Sequence, residues 1–206
     1  MNTPYFAEDS VVDEDFTVNT STGIMWSSYI QMPTLGHGHG NRQKDVIKMW
    51  NLSINATGTI SSVSDDPMSD NNASDCIVGL YLVKDMYPSN IELPKFTDVF
   101  TYNDEQHGGA SHMDVYVRPS VMNRFCVIGR HKFMTRMTND PQLFTLKKSV
   151  KFDGPRRTLV RFRDDVYRDG SYKNIKNNAV LIFLVLESLE EHKMKCAMKS
   201  RIIYYH

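Results

Sequence analysis

The longest apolar run in the chain, AVLIFLVL at residues 179–186, is eight residues long. That is too short for a membrane-spanning helix and the right length for a strand buried on both faces. Segments of similar length recur: DVIKMWNLSINATGTI (45–60), CIVGLYLVKD (76–85), NRFCVIGRHKFMTRM (123–137), LFTLKKSVKF (143–152), RTLVRFRDDVY (157–167) and MKCAMKSRIIYY (194–205). Each mixes β-branched, aromatic and alternating polar residues, which is strand chemistry. Between them lie stretches rich in Asp, Asn, Ser, Gly and Pro, such as SDDPMSDNNASD (64–75), EQHGGASH (105–112) and RDGSYKNIKNN (168–178), which read as loops. FTDVFTY (96–102) reads as a short helix or turn, and MDVYVRP (113–119) as the start of a further β segment. No long helical period and no repeat is present. The expected fold is therefore all-β: an antiparallel, jelly-roll-like sandwich of about eight strands with long loops.

Length places the strands in one domain. At 206 residues the chain is long enough to bury a substantial core. Residues 1–20 show little periodicity and read as a flexible acidic arm, and residues 21–206 as a single β domain. The N-terminus lacks the basic-then-apolar pattern of a secretory signal, so the expected compartment is intracellular. Cys76, Cys126 and Cys196 are widely spaced and form no CxxC pair, which predicts free thiols and no zinc site.

A net charge of zero conceals a strong asymmetry. Residues 1–41 hold Glu8, Asp9, Asp13, Glu14 and Asp15 and no Lys or Arg. From 118 to 163 the balance reverses: twelve Lys or Arg face only Asp140 and Asp153. The densest part is KKSVKFDGPRRTLVRFR (147–163). In a strand, Leu159, Arg161 and Arg163 share one parity and Val160 and Phe162 the other, so a basic stripe can lie over an apolar one. Arg156 and Arg157 sit beside a Gly-Pro turn.

The candidate phosphate-binding residues are thus Arg156, Arg157, Arg161 and Arg163, supported by Lys147, Lys148 and Lys151, with Arg124, Arg130 and Lys132 as a second group. Such a surface binds polyanions with a salt-dependent, largely sequence-independent affinity. The alternative is a set of solvated strand faces.

Other constellations carry less. His37, His39, His107 and His112 lie in glycine-rich loops that lack the rigidity of a metal site, so no metal or other cofactor is expected. No catalytic motif appears, and the chain reads as non-enzymatic. The leucine-rich segment AVLIFLVLESLEEHKM (179–194) has the spacing of a nuclear export signal, but reads first as a core strand.

Several segments resemble the geminivirus coat and nuclear shuttle proteins, most of all the begomovirus nuclear shuttle branch. They are SSYIQMPTLG (27–36), SINATGTI (53–60), VRPSVMNRFCVIGRHKF (117–133), and, most specific, FRDDVYRDGSYKNIKNNAVLIFLV (162–185) with the terminal RIIYY (201–205). The resemblance covers roughly residues 20–206. It implies a coat-like β sandwich and a DNA-binding, non-enzymatic protein that shuttles viral DNA between host nucleus and cytoplasm. It also implies hand-over to a viral cell-to-cell movement protein at the cell periphery, and host nuclear transport factors as partners. Two alternatives accompany it: a self-assembling coat protein that packages single-stranded DNA as a homo-oligomer, and a movement factor acting through host proteins or membranes. One departure stands out. The family's basic N-terminal arm has no counterpart here, since the first basic residue is Arg42.

Overall fold

The computed structural model describes residues 4–18, 24–38, 40–62, 75–89, 92–101, 115–137, 140–154, 157–164, 168–188 and 192–206. These form two antiparallel sheets packed face to face. The larger contains β1 (Tyr5–Val18), β12 (His192–Tyr205), β3 (Val46–Ser62), β9 (Thr158–Phe162) and β10 (Ile175–Asn177), in that order, with β8 (Gln142–Lys151) also paired to β3. The smaller runs β2 (Ile24–Tyr29), β11 (Ala179–Ser188), β4 (Asp75–Asp85), β7 (Phe125–Arg136). A minor ribbon pairs β5 (Phe100–Thr101) with β6 (Tyr116–Val117), after a single helical turn, α1 (Phe96–Val99).

The nesting of these pairs defines the architecture. The last hairpin, β11–β12, lies between the first pair of strands and the middle pair: β12 between β1 and β3, β11 between β2 and β4. β8 and β7 then flank β3 and β4 on the far side. This is an eight-stranded jelly roll, as the segment pattern leads one to expect, with β9 and β10 extending the larger sheet.

Alternation fixes which face is inside. On β12 every second residue from His192 to Tyr204 is buried and those between are exposed or half-buried. On β3 Ile47, Met49, Leu52, Ile54, Ala56 and Ile60 point into the same core. Residues 179–186 behave differently, being buried on both faces. The reason is an aromatic cover over the outer side of the smaller sheet. Tyr81 and Phe183, neighbours in the β4–β11 register, pack against Phe96 and Phe100 with ring centroids 5.4–5.9 Å apart. A strand covered on both sides requires the uninterrupted apolar run seen in the sequence.

Two expectations are revised in detail. The backbone of residues 5–18, read as an arm because the acids break any alternation, runs as β1 along β12 from Tyr5 opposite Tyr204 to Val18 opposite His192. Without β1 that long edge of β12 would present unpaired backbone groups. The polar loop 168–178 also contains β10, which is held to β9 through Ile175 opposite Phe162. Nearby, Gly170 is obligatory: a Cβ there would sit 1.6 Å from the carbonyl oxygen of Met32, whose N–H donates to Gly170 O at 3.0 Å.

Candidate nucleic-acid interface

The outer face of the larger sheet has an unusual composition. β3, β8, β9, β10 and β12 contain no Asp or Glu, whereas the edge strand β1 holds Glu8, Asp9, Asp13, Glu14 and Asp15 and sets Glu8 opposite Arg201 and Asp15 opposite Lys195. The outward positions of β8, β3 and β12 form rows: Lys147 beside Asn55 beside Lys199, and Ser149 beside Ser53 beside Arg201. Lys195 and Lys193 continue the β12 column opposite Thr59 and Ser61, and Lys151 lies opposite Asn51. Ser53 and Ser149 contact each other through their hydroxyls at 3.4 Å, and Ser149 donates to Asn51 Oδ1 at 3.0 Å. Successive positions on one strand face recur about every 6.8 Å, the spacing of Lys193 from Lys195 and of Lys199 from Arg201, with Ala197 between the two pairs. A cationic face with small hydrogen-bonding side chains between the charges is suited to phosphate oxygens.

At one end this face deepens into a groove. β3 carries a bulge there: Asn51 pairs with Ile203 and Met49 with Tyr204, so Trp50 is the additional residue. The bulge lies where β3 changes its other partner from β9 to β8, and Phe152 N–H donates to Trp50 O at 2.9 Å. Bulges re-aim side chains. Here one turns Asn51 outward beside Trp50, which keeps the outward parity of Val46 and Lys48, is 42% exposed and meets Tyr205 edge-to-face at 5.9 Å. Lys44, Val46, Lys48, Arg157, Leu159 and His206 complete the walls of a cavity of about 610 Å³. The His206 ring packs on Tyr5 at 4.3 Å, and its Nδ1 accepts from the Gln43 N–H at 3.4 Å. Burial, reinforced by the Lys44 charge, holds the His206 imidazole below its usual pKa.

The residues proposed from sequence are dispersed. Lys147, Lys151 and Arg161 are exposed on strands of the larger sheet, and Arg157 lines the groove. Arg156 lies outside the described residues, as do His39, His107 and His112. Lys148 has the opposite parity to Lys147, pairing with buried Ile54, and its stem lies over Gly129 where β7 and β8 meet. Arg130 and Lys132 stand on β7 opposite Tyr81 and Gly79, on the outer side of the smaller sheet.

Two of the arginines are committed to the fold. Arg163 donates to three carbonyls, of Lys173 at 2.7 Å, Ile175 at 2.8 Å and Pro88 at 2.9 Å. Arg124 forms a bidentate pair with Asp85, at 2.9 and 2.8 Å. Tyr172 donates to the same carboxylate at 2.7 Å, and Asp85 is fully buried. The Asp85 hydrogen bond raises the Arg124 pKa against the opposing effect of burial.

Sequence reasoning missed Lys44, Lys48, Trp50, Tyr205 and His206, and the β12 column. The column had a signal: Lys193, Lys195, Lys199 and Arg201 share one parity in HKMKCAMKSR (192–201). The groove as a whole had none, because its members come from three separate segments, 44–50, 157–159 and 205–206.

The model of the geminivirus coat protein/nuclear export factor BR1 family matches residues 8–206. The chain belongs to this family. Its members are structural and transport proteins rather than enzymes. Among individual relatives, the nuclear shuttle protein of African cassava mosaic virus (isolate West Kenyan 844) is 24% identical over 192 residues, covering 86% of this chain and 70% of the relative. That of the Nigerian isolate is 23% identical over 189 residues with the same coverage. Solved structures with some likeness include infectious bursal disease virus Gx strain, with a TM-score of 0.38 and 8% identity over 98% of this chain and 32% of that one. The 60-mer BFDV capsid protein aligns with a TM-score of 0.32 and 9% identity, over 100% of this chain and 94% of that one.

Proposed function

We propose that this protein is a nuclear-shuttle-type carrier that holds viral DNA, without catalysis, on the outer face of its larger sheet. It moves the DNA between host nucleus and cytoplasm and passes it to a cell-to-cell movement protein, with host nuclear transport factors as further partners. The observation that carries the DNA-holding role is the acid-free set of strands β3, β8, β9, β10 and β12, whose outward Lys147, Lys151, Arg161 and Lys199 present a cationic surface, with the acids of β1 confined to the sheet's edge beside β12. The names of the relatives support the transport role. The holding unit is the larger sheet from β12 to β10, flanked along the edge of β12 by the acidic strand β1. The leucine-rich strand is not the export element in the folded protein, since Leu181, Leu184 and Leu186 are fully buried.

The test is titration of the full chain with labelled single-stranded DNA at several salt concentrations. Affinity falling steeply with salt supports the reading. An absence of binding at low salt overturns it. Sedimentation of the DNA-free chain separates a carrier, which remains small, from a coat protein, which forms large particles.

A further inference from the structure

We propose that the Trp50–Tyr205 groove is a base-binding site, taking one unpaired nucleobase against the indole while Lys44, Lys48 and Arg157 engage the neighbouring phosphates. This rests on the DNA-holding reading and extends it, because a phosphate-tracking face does not distinguish paired from unpaired bases. The groove differs in chemistry from the rest of that face. The rows of β8, β3 and β12 offer short polar groups and cations, whereas the groove offers two aromatic rings between apolar Val46 and Leu159, ringed by charge. Its volume of about 610 Å³ falls inside the range of roughly 300–1,000 Å³ typical of small-ligand pockets.

The aromatic pair is disposed for stacking. Trp50 stands at a bulge, on the outward side with Val46 and Lys48, and is 42% exposed. Tyr205 meets it at an interplanar angle of 85°, which positions the indole without sandwiching it. A base offers a flat π-face to such a ring whatever its identity.

The groove wall also carries an unsatisfied polar atom. His206 Nδ1 accepts a hydrogen bond from the Gln43 N–H, which places the imidazole proton on Nε2. That Nε2 is buried and has no partner among the described residues. Duplex DNA keeps its bases stacked inside the helix and cannot fill the site. A single strand can.

The experiment uses the full chain with a labelled oligothymidylate, an abasic strand of equal length and a duplex. For the oligothymidylate, Trp50→Ala is expected to weaken binding by about 5- to 150-fold, the range that one stacked base contributes. Trp50→Phe should weaken it less. Binding of the abasic strand and the duplex should be unchanged by either variant, and so should the salt slope. Oligothymidylate should also quench tryptophan fluorescence in the unaltered protein, where the abasic strand does not. Unaltered protein binding the abasic strand as tightly as oligothymidylate overturns the base site and leaves the phosphate-binding face standing. If neither strand binds at low salt, both readings fall. The abasic comparison needs no variant, so it holds even where a substitution impairs folding.

Discussion

Arg42 and Asp164, 122 positions apart, close one end of the sandwich with a two-pronged ion pair. The Arg42 guanidinium is fully buried, lies 3.6 Å over the Phe162 ring, and also donates to the carbonyls of Pro33 and Lys44. Asp164 accepts from Asn174 Nδ2 as well, from a backbone with a φ of 53°. Asp and Asn tolerate that left-handed conformation better than other side chains with a Cβ. The pair ties the segment before β3 to the segment after β9. Asp164→Ala leaves a buried cation without its counter-charge, a change that costs about 3–5 kcal/mol. Chemical denaturation should show that loss. A loss under about 1 kcal/mol would mean that the pair behaves like an exposed surface bridge.

The same carboxylate gives a pH dependence. Burial favours the neutral form of Asp164, but the hydrogen bonds from Arg42 and Asn174 and the charges of Arg42 and Arg168 outweigh it and lower the pKa from 3.8. A carboxyl whose folded pKa lies below its unfolded one binds fewer protons when folded. Its stabilisation is present above the unfolded value and is lost as pH falls through the folded value. The stability gap between the unaltered protein and Asp164→Asn should therefore be constant near neutral pH and shrink below about pH 4. Denaturation midpoints of the two proteins, compared across that range, read the effect. A gap that persists in acid would assign the stabilisation to shape rather than charge.

Arg124 and Arg163 should behave as structural residues in spite of their place in the basic sequence. Removing Arg124 strips the buried Asp85 of its bidentate partner, and removing Arg163 uncaps three carbonyls. Each Ala substitution should lower stability by about 1.5–3 kcal/mol, the scale of hydrogen bonds involving a charged group. DNA affinity, measured below the melting range, should be retained. If affinity falls with stability unchanged, these guanidiniums belong to the interface.

The three thiols should separate cleanly. Cys76 and Cys196 are buried, and burial pushes their pKa values up to about 12 and about 11, with the Glu187 charge adding to the effect at Cys76. Cys126 is exposed on β7. Because the thiolate is the reactive form, a thiol reagent at neutral pH should modify Cys126 alone in the native protein and all three after unfolding. Rapid modification of Cys76 or Cys196 would mean that the strands carrying them open locally.

How far the sequence discloses the molecule depends on whether a feature is local. The apolar run at 179–186 and the alternation of 192–205 reveal their strands directly, because burial on two faces or one leaves its mark on consecutive residues. β1 leaves no such mark: its run of acids reads as an arm, and only the neighbouring edge of β12 makes it a strand. β2 is likewise silent, its six residues too few for a period to show. The interface is harder still. Arg124 and Arg161 look equivalent in sequence, and what separates them is Asp85, 39 positions away from Arg124. Trp50 shares the outward parity of Val46 and Lys48, but that Tyr205 and Leu159 stand beside it follows from the pairing of β3 with β12 and β9. Parity within one strand is legible; juxtaposition between strands is not.

The dispersal of the basic cluster over two sheets yields the most direct test of which face meets DNA. Lys147 and Lys199 lie on the outer side of the larger sheet, in one row with Asn55 between them, while Arg130 and Lys132 lie on the far side of the sandwich. Each contacting cation removed should reduce the slope of log affinity against log salt by about 0.7 for a single strand. The double variant Lys147→Gln/Lys199→Gln should therefore lose roughly 1.4 from the slope and weaken all sequences alike. The double variant Arg130→Gln/Lys132→Gln removes the same charge from the chain and should leave the slope where it was. Equal losses from the two would show that binding responds to net charge rather than to a face. A loss confined to Arg130 and Lys132 would move the interface to the smaller sheet, where α1 and its aromatic cover stand beside them.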